Sequence, residues 1–127
     1  ADSGVFVRAV GDSIFLRGWP GSSYQVQARD MTRNQTSNPI FIGNIYRHGQ
    51  RGTTDTSFDS AAALQASKKT GESQLFEIEV RGDRLTASLN GAPVLNAENL
   101  ANPSGYIGVQ GEAGVVEYRS VLIRELN

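Results

Sequence analysis

A chain of 127 residues, 39% of them hydrophobic, is the size of one domain and can bury a real core. Its 12 Lys+Arg and 13 Asp+Glu leave a formal net charge of -1, so there is no electrostatic reason to expect nucleic acid or an anionic membrane as partner. The absence of cysteine excludes disulfides, thiolate metal sites and cysteine catalysis, and no apolar run is long enough to span a membrane. Ten of the twelve cations are Arg, the residue better suited to fixed, planar polar contacts.

Fourteen glycines and short apolar runs predict many strands joined by tight turns. Ser3 to Val10 reads as a strand with Phe6 and Arg8 on one face and Val5 and Val7 on the other. Ser13 to Leu16 reads as a short strand or loop edge, and the stretch from Gly18 to Ser23 is turn-rich. Tyr24 to Arg29 alternates, with Tyr24, Val26 and Ala28 facing one way and Gln25, Gln27 and Arg29 the other. Asp30 to Pro39 is a polar loop, Ile40 to Tyr46 a strand, and His48 to Phe58 a long loop. Asp59 or Ser60 caps one short helical turn from Ala61 to Leu64.

Further on, Leu75 to Val80 places Phe76, Ile78 and Val80 on one face and Glu77 and Glu79 opposite. Arg81-Gly82-Asp83 is a turn, after which Leu85, Ala87 and Leu89 mark an antiparallel partner. Asn90-Gly91 supplies the positive φ angles of a two-residue hairpin, and Pro93 to Leu95 returns. Tyr106 to Gln110 and Val115 to Arg124 read as a second hairpin around Glu112-Ala113-Gly114. This spacing, with so little helix, predicts an all-β antiparallel sandwich.

An ordered set of segments runs through Ser3-Gly4-Val5-Phe6-Val7-Arg8, Tyr24-Gln25-Val26-Gln27, Gly43-Asn44-Ile45-Tyr46, and Phe76 to Leu85 followed by Leu89-Asn90-Gly91. Gly105-Tyr106-Ile107-Gly108-Val109-Gln110 and Val116 to Leu126 complete it. Taken in this order, the set resembles the family of 3-keto-disaccharide hydrolase domains. The resemblance implies a jelly-roll sandwich of the concanavalin A-like lectin/glucanase type. It also implies a carbohydrate partner, with hydrolysis or elimination of a glycoside such as a 3-keto-disaccharide, and metal dependence that varies, so that a divalent cation is possible. A bacterial protein held outside the cytoplasm, in the periplasm, at the cell surface or secreted, is the accompanying expectation.

Four departures from the family pattern stand out. The chain begins almost at the Ser-Gly motif, so we expect residues 1–127 to form one sandwich domain whose sheet is completed by a further N-terminal segment or by another chain. Ser73 stands where Trp often follows Gly-Glu, and no His follows Gln110. Gln25 replaces a glutamate.

The candidate substrate-binding residues are Arg8, Gln25, Gln27, Arg29, Tyr46 and Gln110, because amides and guanidinium groups offer sugar hydroxyls donors and acceptors in fixed planes. The glutamine face has two readings, the solvent side of an outer sheet or the concave face of a sugar groove. Arg8 either covers the core edge with its stem or reaches into that groove. Tyr46, Tyr106 and Trp19 read as core or loop anchors first and as sugar-stacking platforms second. For proton abstraction the candidates are His48, Glu112 and Asp30; His48 is the only side chain with an ordinary pKa near neutrality. Asp55 and Asp59 lie among hydroxyls but lack the spacing of a calcium loop, so no metal ligands are assigned. Three functions follow: a glycoside hydrolase or lyase, a non-catalytic carbohydrate-binding module, or an assembly subunit with a degenerate site.

Overall fold

The computed structural model describes residues 3–14, 20–28, 42–48, 55–112 and 114–126. Among them eight strands and one short helix follow in the order β1 (Gly4–Ile14), β2 (Pro20–Gln27), β3 (Ile45–His48), β4 (Asp55–Phe58), α1 (Ser60–Ala66), β5 (Phe76–Arg81), β6 (Arg84–Leu89), β7 (Ala92–Glu98) and β8 (Tyr106–Val109). They form two antiparallel four-stranded sheets, ordered β3-β2-β1-β8 and β4-β7-β6-β5. The protein is therefore an all-β sandwich.

Alternation explains the layers. Val7, Tyr24 and Val26 of the first sheet meet Leu85, Ala87, Leu89, Val94, Leu95 and Ala97 of the second in one buried cluster. At the far end of that cluster the Tyr24 hydroxyl accepts from the Ala101 backbone N–H at 2.6 Å, so a phenol that is otherwise fully buried has its polar tip satisfied. Strands β5 and β6 of the second sheet match their sequence pattern closely. Leu85, Ala87 and Leu89 are all buried, and the Asn90-Gly91 turn has φ of 51° and 86°, the doubly positive geometry that suits a right-twisted hairpin. The Asp59 carboxylate caps α1 by accepting from the Ala62 N–H at 2.9 Å.

Four expectations need correction. The third strand starts at Ile45, because Gly43 turns the chain at φ 87° while Gln27 exchanges backbone hydrogen bonds with Gly43 and Asn44. The long loop from His48 to Phe58 contains β4, whose polar Thr56 and Ser57 disguise a ladder against β7 anchored by Phe58 in the core. The second hairpin does not form: β8 pairs with β1, and residues 115–126 carry no strand, leaving Leu122 91% exposed. That segment is instead held through Tyr118, whose hydroxyl meets the Ser3 hydroxyl and lies 3.3 Å from the Gly4 carbonyl oxygen. Finally, Arg8 does not share a face with Phe6. A register shift between Val7 and Val10, with Arg8 at φ 51°, breaks the alternation and re-aims the side chain.

Candidate functional site

The first sheet carries polar residues on the face turned away from the core. Pairing register lays them out in two rows. Tyr46 stands opposite Gln25, Gln25 opposite Phe6, and Phe6 opposite Gly108. In the next row Gln27 stands opposite Gly4, and Gly4 accepts the Gln110 backbone N–H at 3.0 Å. Phe6 is buried yet belongs to no part of the core cluster, as expected for a side chain on this second face.

The three glutamines are 2% (Gln25), 5% (Gln27) and 7% (Gln110) exposed, which removes the solvent-side reading of this face. Buried amides need partners, and here they find one another. Gln27 Nε2 donates to Gln25 Oε1 at 3.4 Å, Gln25 Nε2 donates to Gln110 Oε1, and Gln110 Nε2 donates to Glu112 Oε2 at 2.5 Å. The result is a one-way row of three amides ending on a carboxylate. Its last bond is charge-assisted and the strongest kind in the set.

The Ser3-Gly4 dipeptide makes the row possible. A Cβ on Gly4 would lie 2.4 Å from Gln25 Nε2 and 2.7 Å from its Cγ. The missing side chain is what lets Gln25 cross over β1 to reach Gln110. The Ser3 hydroxyl donates to the Gln110 carbonyl oxygen at 2.6 Å and so fixes the backbone that carries the next amide. Two residues further back along β2, Ser23 Oγ is fully buried and has no hydrogen-bond partner.

The structure thus brings together Gln25, Gln27, Gln110 and Glu112, with Tyr46, 42% exposed, in the neighbouring row. Tyr46 and Tyr106, 42% and 78% exposed, are not the core anchors expected of them. Arg8 is directed elsewhere: it donates to the Asn102 carbonyl at 2.6 Å and to the Gly82 carbonyl at 2.9 Å, in connections of the second sheet. Asn102 answers by donating to the Arg8 carbonyl at 3.0 Å and to Ser22 Oγ at 2.9 Å, so Arg8 clamps one end of the sandwich. His48 is not in a loop but ends β3, paired with Ser23; its side chain lies outside the described residues, as do Trp19, Arg29 and Asp30. Asp59 is engaged as the helix cap. Among the described residues no group of three or more His, Asp or Glu stands ready to hold a metal ion, and no helix is long and apolar enough to cross a membrane.

Sequence reasoning missed Ser3, Gly4 and Ser23. The signal for Gly4 was present, since an isolated Gly in an alternating strand marks a close approach of another group.

A β-sandwich whose outer sheet face buries a hydrogen-bonded amide row beside exposed tyrosine is the class of domain defined by this geometry. The chain belongs to the family described as the 3-keto-alpha-glucoside-1,2-lyase-like domain, whose profile matches residues 1–124. Membership relates it to carbohydrate-active domains of the 3-keto-glycoside kind. No curated protein and no solved structure matches the chain.

Proposed function

We propose that the glutamine face binds a glucoside oxidised to a ketone at carbon 3 and promotes loss of its glycosidic substituent. The observation that carries this reading is the buried row Gln27–Gln25–Gln110–Glu112. It offers amide donors and acceptors in fixed planes, with one carboxylate at its edge. The unpartnered Ser23 hydroxyl and the exposed Tyr46 ring on the same sheet suit a polyol with an apolar C–H face.

The chemistry needs a base. A ketone at carbon 3 acidifies the C–H at carbon 2. Removing that proton gives an enolate, whose electron pair forms the carbon 1–carbon 2 double bond as the bond from carbon 1 to the leaving oxygen breaks. The leaving alkoxide takes a proton and departs as the free alcohol or sugar. Glu112 is the candidate base whose carboxylate is held at this face; His48 and Asp30 remain to be compared with it by substitution. An extracytoplasmic site of action in a bacterium belongs to the same proposal.

The test is to incubate the protein with disaccharides and their 3-keto derivatives, with and without divalent cation, and to follow free sugar. Release from the keto forms alone is expected, and no release from any of them overturns the catalytic reading. A second reading, a binding module, is favoured by Gln25: an amide stands where the family pattern has a carboxylate, and an amide neither takes nor gives a proton at neutral pH. Saturable binding of the same sugars with no product would select it.

A further inference from the structure

The glutamine row has a direction, and the direction has a source. Each amide offers an oxygen that only accepts and a nitrogen that only donates, so a single amide can sit either way round. A carboxylate cannot, because when ionised it only accepts. Glu112 at the end of the row obliges Gln110 to turn Nε2 toward it at 2.5 Å. Gln110 must then show Oε1 to Gln25, which obliges Gln25 to donate through Nε2. Gln25 in turn shows Oε1 to Gln27, which donates through Nε2. The group left at the far end is the Gln27 carbonyl oxygen, because Gln27 spends its Nε2 on Gln25.

We infer that Glu112 is a specificity-determining residue: through Gln110 and Gln25 it fixes Gln27 as an acceptor, so the site selects ligands that present a hydroxyl donor at that end. Ser23, whose hydroxyl is buried and unpartnered, lies on the same face of β2 but beyond Gln25, away from the Gln27 end, and takes no part in this selection. The effect runs through three side chains because hydrogen bonds in a row polarise one another, and because reversing one buried amide breaks the bond on each side of it. The ligand half of this inference rests on the proposed sugar-binding function; the amide half does not.

The experiment therefore has two arms. In the first, the side-chain amide resonances of Gln25, Gln27 and Gln110 are assigned by NMR in the sugar-free protein. They are followed in Glu112→Gln, Glu112→Ala and Glu112→Lys. Glu112 is exposed, so these variants keep the fold, which circular dichroism checks. Glu112→Gln still offers an acceptor and leaves the Gln27 resonances in place. Glu112→Lys offers only donors, reverses the row and shifts Gln27, whose side chain does not touch position 112. Unchanged Gln27 resonances in the Lys variant overturn the inference whatever the protein binds.

In the second arm, binding of a 3-keto-glucoside is compared with that of analogues in which single hydroxyls are replaced by fluorine, which accepts weakly and cannot donate. In the parent one such replacement weakens binding on the order of tenfold. In Glu112→Lys that preference is lost or inverted, because Gln27 then presents its N–H group. An equal preference in both proteins overturns the inference. If no sugar binds at all while the first arm succeeds, it is the proposed function that fails and the polarity of the row that stands.

Discussion

Gly4→Ala is the sharpest test of the site as built. Gly4 is not among the glycines with positive φ, so an alanine there meets no backbone objection and its cost is steric alone. The new methyl would stand 2.4 Å from Gln25 Nε2, 2.7 Å from Gln25 Cγ and 2.8 Å from the Val26 carbonyl oxygen. The side chain of Gln25 can move, but only by leaving Gln110; the Val26 carbonyl is backbone within the ladder and cannot. Overpacking of this kind costs about 1–3 kcal/mol, and a buried amide stripped of its partner costs about 1–3 kcal/mol more. The expected destabilisation is therefore about 2–6 kcal/mol. At roughly 4 °C per kcal/mol for a chain of this length, the melting temperature falls by about 8–24 °C.

Thermal and denaturant unfolding of Gly4→Ala, Gln25→Ala and the double variant measure the coupling directly. Gln25→Ala removes two of the three short contacts, so the double variant should be more stable than the sum of the singles by about 1–2 kcal/mol. A Gly4→Ala protein within about 0.5 kcal/mol of the parent, or strictly additive variants, would show that Gln25 does not cross β1 at Gly4 and would dissolve the row.

Two further variants probe the frame that holds the sheets. Asn90→Ala removes the bonds from Asn90 to the Leu75 N–H at 2.8 Å, the Ala66 carbonyl at 2.9 Å and Gln74 Oε1 at 2.6 Å, and it puts alanine at φ 51°. A loss of about 2–4 kcal/mol in denaturant unfolding is expected, and Asn90→Gly, which relieves only the backbone part, should recover about 1 kcal/mol of it. Asp59→Ala removes the cap of α1 and should cost about 1 kcal/mol, seen as a lower denaturation midpoint with an unchanged slope.

Strands β5 and β6 of the second sheet were legible in the sequence because their signals are local, whereas β4, polar at Thr56 and Ser57, was read as loop. Period-two alternation in Phe76–Arg81 and Arg84–Leu89, one Asn-Gly turn and one helix cap each act within a few residues. The first sheet was legible only in part. Alternation correctly put Gln25 and Gln27 on one face, but it failed at Arg8, where a bulge resets the phase. No single-strand pattern reveals a bulge that is set by the neighbouring strands. Nor does any pattern show that the glutamine face is buried, since burial there depends on what covers it. The link from Gln25 to Gln110 spans 85 positions and passes over a residue defined by having no side chain. Glu112 was a candidate for its chemistry alone, and only the structure supplies the partner that gives it a place.

The departure at position 25 then acquires a physical meaning. With the family's glutamate there, a carboxylate in the middle of the row would accept from both sides, and the flanking amides would point inward. With Gln25 the centre becomes a conduit, and the charge that orders the row lies at its rim, on Glu112. Gln25→Glu tests this. Position 25 is only 2% exposed, so the new charge would be buried, and it would compete with Glu112 for the amide hydrogens of Gln110. A buried charge without full compensation costs several kcal/mol, so the single variant should be destabilised by about 3 kcal/mol or more. Moving the charge instead of adding one, in Gln25→Glu/Glu112→Gln, removes the competition and lets Gln110 and Gln27 both donate to position 25. The double variant should therefore be more stable than Gln25→Glu alone, although Glu112→Gln on its own gives no gain. If the second substitution does not rescue the first, the two positions are not joined through Gln110 and the row is not one electrostatic unit.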